Sequence, residues 1–178
     1  MKVKPLSIDG VFLIEGQLFQ DSRGTFHKLY SSDLFGNRYV TTLGQINISK
    51  NPVTGTIRGL HVQSGNATET KIVSAVTGEI FDVFLDLRRN STTYGKWGSV
   101  ILKDSQNALV LPPGVAHGFQ TLIEDCVLQY VHSGIYSPEV SIGVRYDDPD
   151  LKIPWPNKLT RISEADRSLP FFKEFSGI

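Results

Sequence analysis

The chain has 178 residues, and 40% hydrophobic side chains are enough for a sizeable core and too many for a disordered chain. Lys plus Arg and Asp plus Glu each total 18, so the formal net charge is zero and gives no support for non-specific binding to nucleic acid or an anionic membrane. The lone cysteine, Cys126, excludes an intramolecular disulfide and a cysteine-based zinc site. The opening MKVKPLSIDG lacks the apolar run of a signal peptide, and no stretch is long and apolar enough to span a membrane. A reducing cytoplasm is the expected setting.

Short extended runs, cut by Gly, Pro, Asn and Ser, follow one another along the chain. They are GVFLIEG, GQINIS, TIRGLHVQ, KIVSAV, EIFDVFLDL, GSVILK, ALVLP, GFQTLIE, CVLQYVH and SIGVRY. In EIFDVFLDL, Phe81, Val83, Leu85 and Leu87 fall on one face, with Asp82 and Asp86 opposite. Helix is scarce: SSDLFGN suits one short turn capped by Ser31 or Ser32, and SEADRS another. No repeat or linker divides the chain, so residues 1–178 are expected to form one domain. Many short strands with regular turn signals predict an all-β sandwich or barrel, which offers a mouth or interior for one ligand.

Pro112-Pro113-Gly114 forces a turn after ALVL, and His117 opens the next strand near the barrel rim. The histidines are His27, His61, His117 and His132. His61, in TIRGLHVQ, reads as a satisfied core histidine, a metal ligand or a proton-transfer base. A metal-binding β-barrel pattern needs a second histidine two positions on, where this chain has Gln63, so no metal is expected. As a base, His61 needs a partner that orients its other ring nitrogen, and Asp82 and Asp166 both qualify. Arg58 and Lys71 flank it, and Arg23 beside Gly24 suits an anion held close to the backbone. Tyr130 and Tyr136 are candidates for a general acid, an oxyanion donor or a stacking platform. On a regular strand Arg58 and His61 face opposite ways; a bulge at Gly59 is required to bring both into one pocket.

The ordered series DSRGTF, GQINIS, TIRGLHVQ, KIVSAVTGEIFDVFLDLR, TYGKW, LVLPPGVAHGF, QYVHSGIYSPE and DDPDLKIPWP resembles the dTDP-4-dehydrorhamnose 3,5-epimerase family. That resemblance implies a cupin-type jelly-roll barrel with short peripheral helices, an N-terminal arm and a short helical C-terminal segment. It implies His61 as general base, Asp166 as its orienting carboxylate, Tyr130 as acid on the opposite sugar face and Lys71 near the sugar carbonyl. Tyr136 matches the residue that stacks on thymine, and Arg23, Phe26, Gln45, Asn47, Arg58 and His117 match positions that bind nucleotide or sugar. Lys28, Ser141 and Ala165 depart from the family's residues at substrate-contact positions.

The expected activity is epimerisation at C3 and C5 of a dTDP-4-keto-6-deoxyhexose. The ketone acidifies both protons, so neither cofactor nor metal is required. The alternatives are an epimerase acting at C3 or C5 alone, a sugar-nucleotide ketoisomerase, and a non-catalytic sugar-nucleotide binding module. The resemblance further implies a homodimer in which the Arg23 motif reaches the neighbour's substrate.

Overall fold

The computed structural model describes residues 1–31, 33, 42–175 and 177–178. In spatial order, β1 (Lys2–Pro5), β2 (Phe12–Glu15), β10 (Asn107–Leu111), β7 (Lys71–Thr77), β12 (Cys126–His132) and β5 (Gln45–Asn51) form a six-stranded sheet. A five-stranded sheet runs β13 (Ser141–Gly143), β6 (Ile57–Gln63), β11 (Val115–Thr121), β8 (Glu79–Asp86), β9 (Trp97–Lys103). β3 (Gln17–Asp21) and β4 (Gly24–Lys28) pair only with each other. The pairings are antiparallel.

The two larger sheets face each other as the walls of a jelly-roll barrel. Val73, Ala75, Leu109, Leu111 and Leu128 of one wall meet Ile80, Phe84 and Phe119 of the other in one buried cluster. Each large side chain buried there stabilises the fold by about 1.5–3 kcal/mol. A second cluster lies on the outer face of the five-stranded sheet, where Val83, Leu85 and Ala116 pack with Leu151, Ile153, Trp155 and Phe172. The C-terminal stretch thus covers that face.

This covering explains β8. Its alternation is as expected, but both sides are buried: Val83 and Leu85 lie under the C-terminal stretch, while Asp82 and Asp86 are 0% exposed on the inward side with Ile80 and Phe84. Asp86 is satisfied there by Arg88, Ser91 and Thr93.

β1, β3 and β4 are strands that carry none of the expected runs. β3 is exposed along its whole length, so it has no buried face to impose apolar alternation. The strand expected over GFQTLIE starts earlier, at Val115, because the turn closes at once, with the Val115 N–H donating to the Pro112 carbonyl at 3.3 Å. SEADRS forms α1 (Glu164–Arg167), with Ser163 as its N-cap. The turn expected over residues 31–37 lies for the most part outside the described residues. No helix among the described residues is long and apolar enough to cross a membrane.

Candidate active site

Strand register decides which side chains line the six-stranded wall. Gln45, His132 and Lys71 align across β5, β12 and β7, and Asn47, Tyr130 and Val73 align in the next row of the same face. Val73 belongs to the cluster between the sheets, so this is the inner face.

On the opposite wall His61 of β6 aligns with His117 of β11, which aligns with Phe84 of β8. Arg58 pairs with Phe119, so the step from Arg58 to His61 is one residue longer than its counterpart on β11. That extra residue is a bulge, and it resets the parity of the strand. Gly59 sits in it at φ +104°, where an added Cβ would meet the His117 carbonyl oxygen at 2.5 Å. Only glycine fits such a close approach. Arg58 and His61 therefore line one cavity of about 290 Å³ with Lys71, His117 and Tyr130.

The segment before α1 brings the carboxylate. Thr56 bridges Arg161 in parallel, and the Ile57 N–H donates to the Arg161 carbonyl at 2.9 Å, so this segment runs beside the start of β6. Ser163 then caps α1 by accepting from the Asp166 N–H at 3.0 Å. Asp166 accepts from His61 Nε2 at 2.7 Å through Oδ1 and from the Gly59 N–H at 3.1 Å through Oδ2. Burial alone would push its carboxyl up; the bond and charge of His61, with Gly59 and Ser163, outweigh burial and hold it below the ordinary value. A carboxylate only accepts, so Nε2 carries the hydrogen and Nδ1 of neutral His61 keeps its lone pair for a proton.

His117 and Asp82 make a second pair at 2.8 Å, buried on both sides. Burial pushes the Asp82 carboxyl up, against His117 and Lys71, and pushes the His117 imidazole down, against Asp82. The Tyr130 ring meets the His117 ring edge-on at 5.9 Å. Burial raises the Tyr130 phenol well above its ordinary value, and the charge of Asp82 adds to this against Arg58. The phenol is therefore held in its proton-carrying form. Burial also lowers Lys71, with Glu69 and Asp82 acting against it.

A second cavity, of about 470 Å³, shares His61, Lys71, Asn47 and Asp166 with the first and extends to Gln45, Tyr136, Ser141 and Ala165. Tyr136 is 57% exposed, and its N–H donates to Gln45 Oε1 at 3.1 Å. Gln63 has its amide occupied: it donates to the Ala67 and Ile135 carbonyls and accepts from the Ser137 N–H at 2.6 Å. It braces the loop that carries Tyr136. Among the described residues no group of three or more His, Cys, Asp or Glu is poised to hold a metal ion.

Nine of the expected site residues thus line one cleft: His61, Tyr130, Asp166, Lys71, Gln45, Asn47, Arg58, His117 and Tyr136. Arg23 and Phe26 do not. They sit on the β3–β4 hairpin, where Arg23 pairs with Asp21 at 2.6 Å and Phe26 is 68% exposed. Ser141 and Ala165 line the cleft, while Lys28 ends β4. Sequence reasoning missed Glu69 and gave His132 no role, yet both line the larger cavity. A signal for His132 existed, since it lies two residues beyond Tyr130 on one strand and so shares its face. Glu69 precedes β7 and carries no periodic signal.

The profile of the dTDP-4-dehydrorhamnose 3,5-epimerase family matches residues 5–174. A dTDP-4-dehydrorhamnose 3,5-epimerase of Methanothermobacter thermautotrophicus is 40% identical over 167 residues, 91% of this chain and 89% of that protein. A dTDP-4-dehydrorhamnose 3-epimerase of Streptomyces niveus is 37% identical over 170 residues, 94% of this chain and 82% of that protein. The crystal structure of a dTDP-4-dehydrorhamnose 3,5-epimerase from Bacillus anthracis, with TDP and PPi bound, superposes with a TM-score of 0.90 at 37% identity, covering 96% of this chain and 98% of that one.

Proposed function

The chain belongs to the dTDP-4-dehydrorhamnose 3,5-epimerase family, and from that premise we propose that it inverts C3 and C5 of a dTDP-4-keto-6-deoxyhexose. The observation that carries this reading is one cleft with the His61–Asp166 pair on one wall and the Tyr130 phenol on the other. His61 Nδ1 takes the proton from the carbon beside the ketone, and the C–H electrons pass to the C4 oxygen. Asp166 stabilises the imidazolium that forms. Lys71 stands at the developing oxyanion, and Tyr130 returns a proton from the opposite face. The phenolate regains its proton from solvent, as does the base its neutral form, so turnover consumes nothing. Arg58, Asn47 and His117 hold the sugar diphosphate, and Tyr136 with Gln45 receives the thymine end.

Residues 1–178 act as one catalytic domain in the cytoplasm, and as a homodimer. Ile46 and Ile48 on edge strand β5 and Leu18, Phe19 and Phe26 on the hairpin are exposed, apolar and suited to a second copy, which would take Arg23 toward the neighbour's cleft. Sedimentation at a single chain mass would refute the dimer.

Turnover of dTDP-4-keto-6-deoxyglucose in heavy water tests the reaction. The product should carry deuterium at both C3 and C5 by NMR. A second reading, inversion at one carbon, is favoured by Ser141 and Ala165 in the cleft and by the similarity to the Streptomyces niveus 3-epimerase. Deuterium at one carbon alone would establish that reading instead.

A further inference from the structure

Tyr136 stands at the thymine end of the cleft, yet nothing holds its ring directly. Among the described residues its side chain makes no hydrogen bond and no ring contact. Its place is set through the backbone, and from both walls. The Tyr136 N–H donates to Gln45 Oε1 at 3.1 Å. Gln63, on the opposite wall, holds the residue on each side: its Nε2 donates to the Ile135 carbonyl at 3.3 Å, and its Oε1 accepts from the Ser137 N–H at 2.6 Å. Nε2 also donates to the Ala67 carbonyl at 3.2 Å. A flipped amide would set donor against donor and acceptor against acceptor, so these partners fix its orientation. Both amide hydrogens are then taken, and Gln63 is only 5% exposed. It has no donor left to offer a nucleotide.

Strand parity ties this grip to the chemistry. His61 and Gln63 lie two residues apart on β6 and both line the larger cavity, while Leu60 and Val62 belong to the outer cluster. The bulge at Gly59 that turns His61 inward turns Gln63 inward with it. Two residues of strand span about 7 Å. The base and the brace of the exposed ring therefore sit on one strand, a fixed step apart.

We propose that Gln63 is a positioning residue for the epimerisation, which holds the Ile135–Ser137 loop so that the Tyr136 ring is preformed as the platform for the nucleobase. The proposal rests on the reading of Tyr136 as the thymine platform. A platform fixed in advance removes the ordering that a loose loop would cost at each binding event. A nucleotide stacked there presents its sugar at a set distance from His61. The gain is the same for bound substrate and for the transition state, so it appears in KM and leaves kcat alone.

The test is a double-mutant cycle. Calorimetric binding of dTDP, and KM and kcat on dTDP-4-keto-6-deoxyglucose, are measured for the parent protein, Gln63→Met, Tyr136→Ala and the double variant, with thermal unfolding as the check on the fold. Gln63→Met keeps the length of the side chain and removes its bonds to Ala67, Ile135 and Ser137. It should weaken dTDP binding about fivefold and raise KM by the same factor, with kcat within about twofold. Tyr136→Ala should weaken dTDP roughly tenfold or more. In that background Gln63→Met should add nothing, because the ring it positions is gone. A measurement on the unaltered protein stands beside the variants: the Ser137 amide hydrogen should exchange slowly before any nucleotide is added. Fast exchange there would overturn the proposal. So would unchanged dTDP binding in Gln63→Met, the same loss with and without the Tyr136 ring, or a fall in kcat at constant KM. Failure of the parent protein to bind dTDP would instead strike the reading of Tyr136 as the platform, and deuterium exchange reports the epimerisation separately.

Discussion

His61–Asp166 and His117–Asp82 use the same two side chains at nearly the same distance, 2.7 and 2.8 Å. Their surroundings differ. The His61 side chain is 42% exposed into the cleft, and its carboxylate is held down by the bonds it receives. The His117 side chain is 5% exposed, its partner is fully buried, and burial pushes both members toward their neutral forms. A histidine–carboxylate bond does not make a base by itself. The first pair has an ionised carboxylate behind the ring and an open nitrogen in front; the second is a buried contact that fixes the His117 ring in the wall beside Tyr130.

Substitution should separate the two pairs most sharply in the rate. His61→Ala is expected to lower kcat by roughly a hundredfold to ten-thousandfold, and Tyr130→Phe by a similar factor. For His61→Ala, the buried Asp166 loses one bond and keeps those from Gly59 and its own cap, so stability should fall by only about 1 kcal/mol. A coupled epimerase assay beside calorimetric dTDP binding checks this, and near-normal turnover of His61→Ala would remove the base.

At the other pair stability should respond first. Asp82→Ala leaves the buried His117 ring without its hydrogen-bond partner and is expected to cost about 1–3 kcal/mol in denaturant unfolding. An effect below about 0.5 kcal/mol would mean that the buried pair contributes nothing to the framework.

Acid gives the smallest contrast. Asp166 is held below its ordinary 3.8, so its stabilisation is complete above that pH and is lost as the pH falls through its folded value. Asp82 is raised above 3.8, so its contribution runs the other way and grows as the pH falls through its folded value. Asp166→Asn should flatten the decline of stability below about pH 4, and Asp82→Asn should not. Unfolding midpoints measured from about pH 5 to about pH 2.5 decide it; equal slopes for both variants would show that the two carboxyls titrate alike.

Much of this site was legible in the sequence, in residues whose constraint is local. The parity of TIRGLHVQ demanded a bulge at Gly59, and the register shift lies there. SEADRS read as a capped turn, and it is one. Spacing left the choice between Asp82 and Asp166 open, and only the family resemblance pointed to Asp166, because 105 residues separate it from His61 and the path of the chain beside β6 brings them together. Nor was the burial of the β8 aspartates legible, since a polar side opposite Val83 and Leu85 reads as one that faces solvent. Glu69 was silent because its partner, His132, lies 63 residues further along the chain.

The 105-residue gap between His61 and its carboxylate also sets a clock. A ribosome adding about 5–20 residues each second needs roughly 5–20 s to pass from one to the other. Once Tyr130 has been made, the nascent chain carries the histidine, the bulge and the tyrosine wall, but not yet Asp166 or the residues from Val144 onward that seal the outer sheet. A chain interrupted after β13 would hold a bare imidazole on one side of a sheet whose other, apolar side is uncovered. The carboxylate that holds His61 and the cover of that apolar face therefore come from one late stretch of the chain.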